Sequence, residues 1–154
     1  MNKNILIVDY KIALAKAAKY CAYQERCHWE LERKFKEWHI DEDLWDDITA
    51  DLIQQNFLNE ERFALAYVQG KVNIKKWGRK KIYYELKKRQ ISEYLINKSL
   101  EMIDQEKYLL NLQEIIDKKF LTVKGKTEYE RQSKVIQYLL TRGYEMEIIQ
   151  EYIN

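Results

Sequence analysis

The stretch YELKKRQISEYLI, residues 84–96, occurs in three versions along the chain. The others are RKFKEWHIDEDLW (33–45) and QYLLTRGYEMEII (137–149), offset from it by 51 and 53 residues. Phe35, Leu86 and Leu139 share one apolar position, and Ile40, Ile91 and Tyr144 a second. Leu44, Leu95 and Ile148 share a third, followed by Trp45, Ile96 and Ile149. Each copy therefore reads as a helix end, a turn of two or three residues, and a new helix with an acid in its first turn.

A further helix of small and aromatic residues precedes each copy. It carries Ala17 and Tyr20 in the first, Ala64 and Tyr67 in the second, and Tyr108 and Leu112 in the more divergent third. The pattern predicts an N-terminal extension, 1–9, and three tandem three-helix repeats over 10–57, 58–104 and 105–154. A repeat of about fifty residues buries too little surface alone. Stacking then predicts an elongated, curved, solenoid-like body.

Composition agrees with an all-α chain. Its 154 residues include no proline and four glycines, so nothing forbids long helical stretches. An apolar content of 46% supports a folded core. Helix starts are expected at Asp41-Glu42-Asp43, Asn59-Glu60-Glu61 and Ser92-Glu93, where capping side chains and acids suit the helix dipole. Thr127 with Glu130 reads as a capping box, and Gly143 as the left-handed residue after a helix ending at Arg142. Roughly nine helices of about ten to sixteen residues follow, with longer connections near 71–77 and 121–126.

Several function classes find no support. The apolar run Ile5–Val8 is too short for a signal core or a membrane span, so a cytoplasmic protein is expected. Cys21 and Cys27, six apart, belong to different faces of a helix and have no ligand set; two reduced, partly buried thiols are expected, without zinc. His28 and His39 complete no ligand set either. There is no Gly-rich phosphate loop, no G-x-S-x-G and no H-E-x-x-H, so neither an enzyme nor a cofactor is expected.

The charge pattern is the chain's most uneven feature. Net charge is only +2, yet residues 71–90 hold nine Lys/Arg and one acid, Glu85. Residues 41–61 hold eight Asp/Glu and no Lys/Arg, so part of the segregation is open to attraction between neighbouring repeats. Lys87, Lys88 and Arg89 fall in the last turn of a helix, where cations are favoured without any ligand. Lys75, Lys76, Arg79, Lys80 and Lys81 are expected just before or inside that helix's first turn, where positive charge costs roughly 0.3–1 kcal/mol each. An anionic partner would offset that cost. At 100° per residue, Ile82 and Leu86 define the buried stripe, with Tyr83 beside it. Lys80, Tyr84 and Lys87 share the opposite face, flanked by Lys81 and Lys88. The candidate contact set is completed by Lys71 and by Trp77, which lies within the basic loop. Such a face suits a phosphate backbone with an occasional stacked base, or an acidic protein surface. Phe63, Ala64 and Tyr67 are expected to pack between helices, and Arg62 to form a local ion pair of small worth.

LIQQNFLNEERFALAYVQGKVNIKKWGRKKIYYELKKRQI, residues 52–91, resembles the RecX family of bacterial recombinase regulators. The matching positions are Phe57-Leu58-Asn59-Glu60, Arg62-Phe63-Ala64, Tyr67-Val68, Gly78, Ile82, Leu86 and Arg89-Gln90-Ile91. RCHWELERKF, residues 26–35, looks like the family's first repeat, and the third repeat matches in apolar spacing. The resemblance implies three tandem three-helix repeats and binding to RecA and to RecA filaments on single-stranded DNA. It also implies suppression of filament growth, ATP hydrolysis and strand exchange. A direct DNA-binding helical protein, acting on single- or double-stranded DNA without a recombinase, is the alternative. A scaffold for an unrelated partner is the third reading. Without a heptad seam a monomer is expected.

Overall fold

The computed structural model describes residues 5–153. Nine α-helices follow one another in this span: α1 (Tyr10–Tyr23), α2 (His28–Glu37), α3 (Trp45–Gln54), α4 (Glu60–Gly70), α5 (Arg79–Lys88), α6 (Glu93–Leu100), α7 (Gln105–Thr122), α8 (Glu128–Thr141) and α9 (Met146–Tyr152). Their lengths run from 7 to 18 residues, a wider range than the spacing predicted. The closest helix packing falls within successive groups of three: α1 and α2 on α3, α4 and α5 on α6, then α8 on α7 and α9. The chain is thus an all-α helical repeat, with the groups referred to below as the first, second and third modules.

The three repeated stretches form three equivalent turns. His39, Gln90 and Gly143 occupy the same repeat position, and all have positive φ, of 56°, 61° and 96°. The following amide reaches back five residues in each: Ile40 to the Phe35 carbonyl at 2.9 Å, Ile91 to Leu86 at 3.1 Å, Tyr144 to Leu139 at 3.1 Å. This left-handed closure satisfies the last helical carbonyls and turns the chain sharply. Phe35, Leu86 and Leu139, and then Ile40, Ile91 and Tyr144, are buried at the turn, so the apolar register sets it. Ile96 and Ile149 are likewise buried, whereas Trp45, which follows a 3₁₀ turn, Glu42–Leu44, at the start of α3, is only half-buried.

The expected caps form. Asn59, Ser92 and Thr127 accept from the amides of Arg62, Leu95 and Glu130, and Asp41 accepts from Asp43 at the 3₁₀ turn. The Glu130 carboxylate reaches one residue further back than a capping box requires, to the Lys126 amide at 2.8 Å. Residues 1–4 of the predicted N-terminal extension lie outside the described residues; Ile7 makes a parallel bridge, its amide donating to the His39 carbonyl at 2.7 Å and its carbonyl accepting from Asp41 at 3.0 Å.

Two apolar cores result. The first module has its own, built on Ala13, Ala17, Leu31, Phe35, Ile48 and Leu52. The second and third share one, running from Phe63 and Leu86 through Tyr108 and Leu112 to Leu139 and Ile149. Cys21 lies in the first core and Cys27 in the second, so the thiols sit on either side of the α1–α2 connection rather than on one helix. Both are free and buried, and burial raises their pKa to about 11 and about 12.

Candidate functional site

The basic segment is not the loose connection its sequence suggests. Residues Lys71–Lys75 continue α4 as a π-helical turn, ending at Lys76 in the left-handed conformation (φ 55°). Lys71, Lys75 and Lys76 therefore lie at the carbonyl end of a helix, where positive charge is favoured. That corrects the expectation that Lys75 and Lys76 oppose the dipole of the following helix. The third module holds the turn in place. Asn111 Nδ2 donates to the Val72 carbonyl at 2.9 Å, the Tyr144 hydroxyl to the Lys76 carbonyl at 2.7 Å, and the Arg142 guanidinium to the Lys75 carbonyl.

The start of α5 is equally tied down. The Gly78 amide donates to the Arg142 carbonyl at 2.8 Å, and the Lys80 amide to the Gly143 carbonyl at 2.9 Å. Carbonyls from the end of α8 thus cap the amides that open α5. A Cβ on Gly78 would stand 2.3 Å from the backbone of Gly143, so only glycine permits this approach.

Two of the predicted contact residues already have partners within the chain. Arg79 bonds Glu145 at 2.9 Å and the Gln105 side chain, with its guanidinium 4.0 Å from the centre of the Tyr108 ring. Lys76 pairs with Glu114 at 2.6 Å; with Lys118 it holds that carboxyl well below the usual range, at about 2. Trp77 packs against the shared core with the Lys71 and Lys81 ammonium groups 4.8 and 4.4 Å from its ring centre. Burial first, then the nearby cations Lys75 and Arg89, lowers the Lys71 pKa. At the other end, Arg89 pairs with Glu85 at 2.9 Å and packs over Trp29 and Tyr67. The ion pairs of the basic segment go to Glu30, Glu85, Glu114 and Glu145, and none goes to the acidic stretch 41–61.

Lys80, Tyr84, Lys87 and Lys88 remain on the surface with Lys75, and these lysines have no ion-pair partner among the described residues. Ile82 and Leu86 are fully buried beneath them. The helical face expected from spacing therefore exists, narrowed to the lysines around Tyr84. Sequence spacing did not find that Tyr83, Leu100 and Glu145 join Arg79, Lys80 and Tyr84 around one apolar depression of ≈ 250 Å³. Leu100 and Glu145 arrive from other helices, which no local pattern records. Arg62 also departs from expectation: its partner is Glu25, at 2.6 Å, across the boundary with the first module. Phe63, Ala64 and Tyr67 pack into the core as expected.

Among the described residues no cluster of His, Cys, Asp or Glu could hold a metal ion, and no helix is long and apolar enough to cross a membrane.

Comparison with known proteins places this arrangement. Residues 59–100 match the family model described as RecX, second three-helix domain, and residues 106–153 match RecX, third three-helix domain. Together they cover more than half of the chain. Proteins named regulatory protein RecX from Bacillus cytotoxicus and Bacillus cereus are each 24% identical over 138 residues, covering 90% of this chain and 51% of theirs. The chain thus spans about half the length of these relatives. A crystal structure of regulatory protein RecX aligns with a TM-score of 0.84 at 25% identity, covering 94% of this chain and 72% of that one. RecX from Lactobacillus salivarius aligns with a TM-score of 0.79 at 25% identity, covering 92% of both chains. With both family models falling in order on α4–α6 and α7–α9, and the turns repeating throughout, the chain belongs to the RecX family.

Proposed function

We propose that this protein is a cytoplasmic, non-enzymatic regulator that binds RecA and RecA filaments on single-stranded DNA. It inhibits filament growth, ATP hydrolysis and strand exchange, and so acts in recombination and DNA repair. Family membership supports the recombinase as partner. The observation that carries the reading to a surface is the exposed face of α5, where Lys80, Lys87 and Lys88 surround Tyr84 without internal counter-ions. The protein acts as a monomer divided into an extension, 1–9, and repeats 10–57, 58–104 and 105–154, stacked into a curved body that lies along the filament groove.

Inhibition without catalysis needs only differential affinity. A ligand that binds one filament state better than another shifts the equilibrium between them by that difference. The exposed lysines of α5 would meet DNA phosphates or an acidic protomer surface in the groove. Purified protein, added below stoichiometry, is expected to lower single-stranded-DNA-dependent ATP hydrolysis by RecA. Charge reversal at Lys75, Lys80, Lys87 and Lys88 is expected to abolish that effect while leaving the helical spectrum intact. Unchanged ATPase at excess protein would overturn the proposal. Bare-DNA binding with a steep salt dependence but no effect on the recombinase would favour a direct DNA binder.

A further inference from the structure

The depression beside the α5 lysines has a composition that plain phosphate contact does not require. Its walls are Tyr83 and Tyr84 from one side of α5, Leu100 from the end of α6, and Glu145 from the start of α9, with Arg79 and Lys80 at the rim. Tyr84 is 69% exposed, an aromatic ring standing in solvent between two lysines. Tyr83 is held rigidly next to it. The two rings meet edge to face at 5.5 Å and 87°, and the Tyr83 hydroxyl donates to Glu93 at 2.5 Å. The one carboxylate lining the depression is already bonded by Arg79 and by the Tyr108 hydroxyl, so it does not repel an anionic ligand as a free acid would.

We infer that this slot receives an unstacked base of single-stranded DNA, stacked on Tyr84, while the flanking phosphates lie along Lys80, Lys87 and Lys88. The inference rests on the reading of the α5 face proposed above and makes it specific. An aromatic platform with an apolar wall beside it, bordered by cations, matches how proteins hold single strands without reading sequence. A duplex keeps its bases stacked inside and presents only phosphates to the same lysines. An acidic protein surface would use the lysines but gains little from an open ring above an apolar hollow of ≈ 250 Å³. The slot therefore favours single strands over duplex, and it does so without sequence preference.

The test uses the full chain and fluorescence anisotropy with a labelled oligonucleotide of about 16 thymidines, within the usual site sizes for such surfaces. An oligomer of the same length built from abasic sites keeps the phosphates and removes the bases. Wild-type protein is expected to bind the thymidine strand more tightly than the abasic strand or a duplex. Tyr84→Ala should weaken thymidine binding about tenfold, the loss of one stacked base, and leave abasic binding unchanged. Tyr84→Phe, which keeps the ring, should bind as wild type. Equal affinity of wild-type protein for thymidine and abasic strands, or an equal loss on both with Tyr84→Ala, overturns the slot alone. If Lys80→Glu with Lys87→Glu also changes neither DNA nor recombinase binding, the reading of the whole face fails. If those changes weaken only binding to DNA-free recombinase, the face meets protein, and the slot is again overturned.

Discussion

Where the second module meets the third, two glycine backbones touch at Gly78 and Gly143, and one apolar core runs through both modules. Where the first meets the second, ionic groups carry much of the contact. Arg62 reaches Glu25 at 2.6 Å, the His28 amide bonds Glu60 at 3.1 Å, and Arg89 lies 3.9 Å from Glu30, beyond hydrogen-bond reach. Cys27 and Trp29 are the apolar stitch that crosses this boundary into the shared core. Glu25 Oε2 and Glu30 Oε1 are buried with no hydrogen-bond partner among the described residues, so this junction is also less completely satisfied. Two repeats fused by a core are expected to behave as one body, and a boundary rich in ion pairs to open at lower cost. The α5 face sits on the fused body, and its turn and slot both draw residues from the third module. A contact made there would rest on the fused body.

The largest expected effect comes from Gly78→Ala. The added Cβ would meet the Gly143 carbonyl carbon and the Tyr144 amide at 2.3 Å, both backbone atoms with no rotamer to yield. A cost of about 3 kcal/mol is expected, within the range of overpacked sites. Urea denaturation measures it. Hydrogen exchange should quicken across α5, α8 and α9 while α1 and α3 stay protected; uniform quickening would mean that all three modules form a single cooperative unit.

Alkaline pH is the second way to separate the two bodies. Burial raises the Cys27 thiol to about 12, and burial leads the rise of the Tyr108 and Tyr144 phenols, all in the shared core. The first core holds Cys21, raised to about 11, and has at its edge Tyr10, raised to about 12 chiefly by its hydrogen bond to Asp51, and Tyr20, raised by burial. Each of these groups keeps its proton in the fold after the unfolded chain has lost it. The resulting stability is complete below about pH 9 and falls as pH rises toward the folded values. Between pH 9 and pH 10.5 each thiol should lose about 1–2 kcal/mol of its contribution and each phenol less, so both cores erode, the shared core by the larger sum. A midpoint in urea that holds steady over this range would contradict it.

Much of this arrangement was legible in the sequence because it is written in apolar spacing. Phe35, Leu86 and Leu139 needed only a period and an offset to be matched, and burial follows from the match. Of the three left-handed turn residues, only Gly143 carries a signal; His39 and Gln90 adopt the same conformation because the buried residues on either side impose it. The π-helical turn at Lys71–Lys75 has no local cause either. Its last carbonyls are met by Asn111, Arg142 and Tyr144, between 39 and 68 residues away. Likewise nothing in KKWGRKK distinguishes Arg79, bound inside the fold by Glu145, from Lys80, which is exposed. Charge runs reveal where cations concentrate, and only packing reveals which of them remain available.

The smallest expected effect belongs to the ionic junction itself, and it is the one that tests whether the first module moves. Arg62→Ala removes the bond to Glu25 and two more, to the Asn56 side chain and carbonyl. Both partners keep about a third of their side-chain surface in solvent, so the Coulomb term is screened, and the loss should be about 1 kcal/mol. Because the shared core does not pass through this pair, the change should appear as faster exchange in α1 and α2 with α7 and α8 unaffected. Raising salt on the wild-type chain should move it in the same direction, since ion pairs weaken with ionic strength and buried apolar contacts do not. If Arg62→Ala and high salt each leave the first module's exchange unchanged, Cys27 and Trp29 suffice to hold the boundary. The contrast between the two junctions would then be one of composition without any difference in mobility.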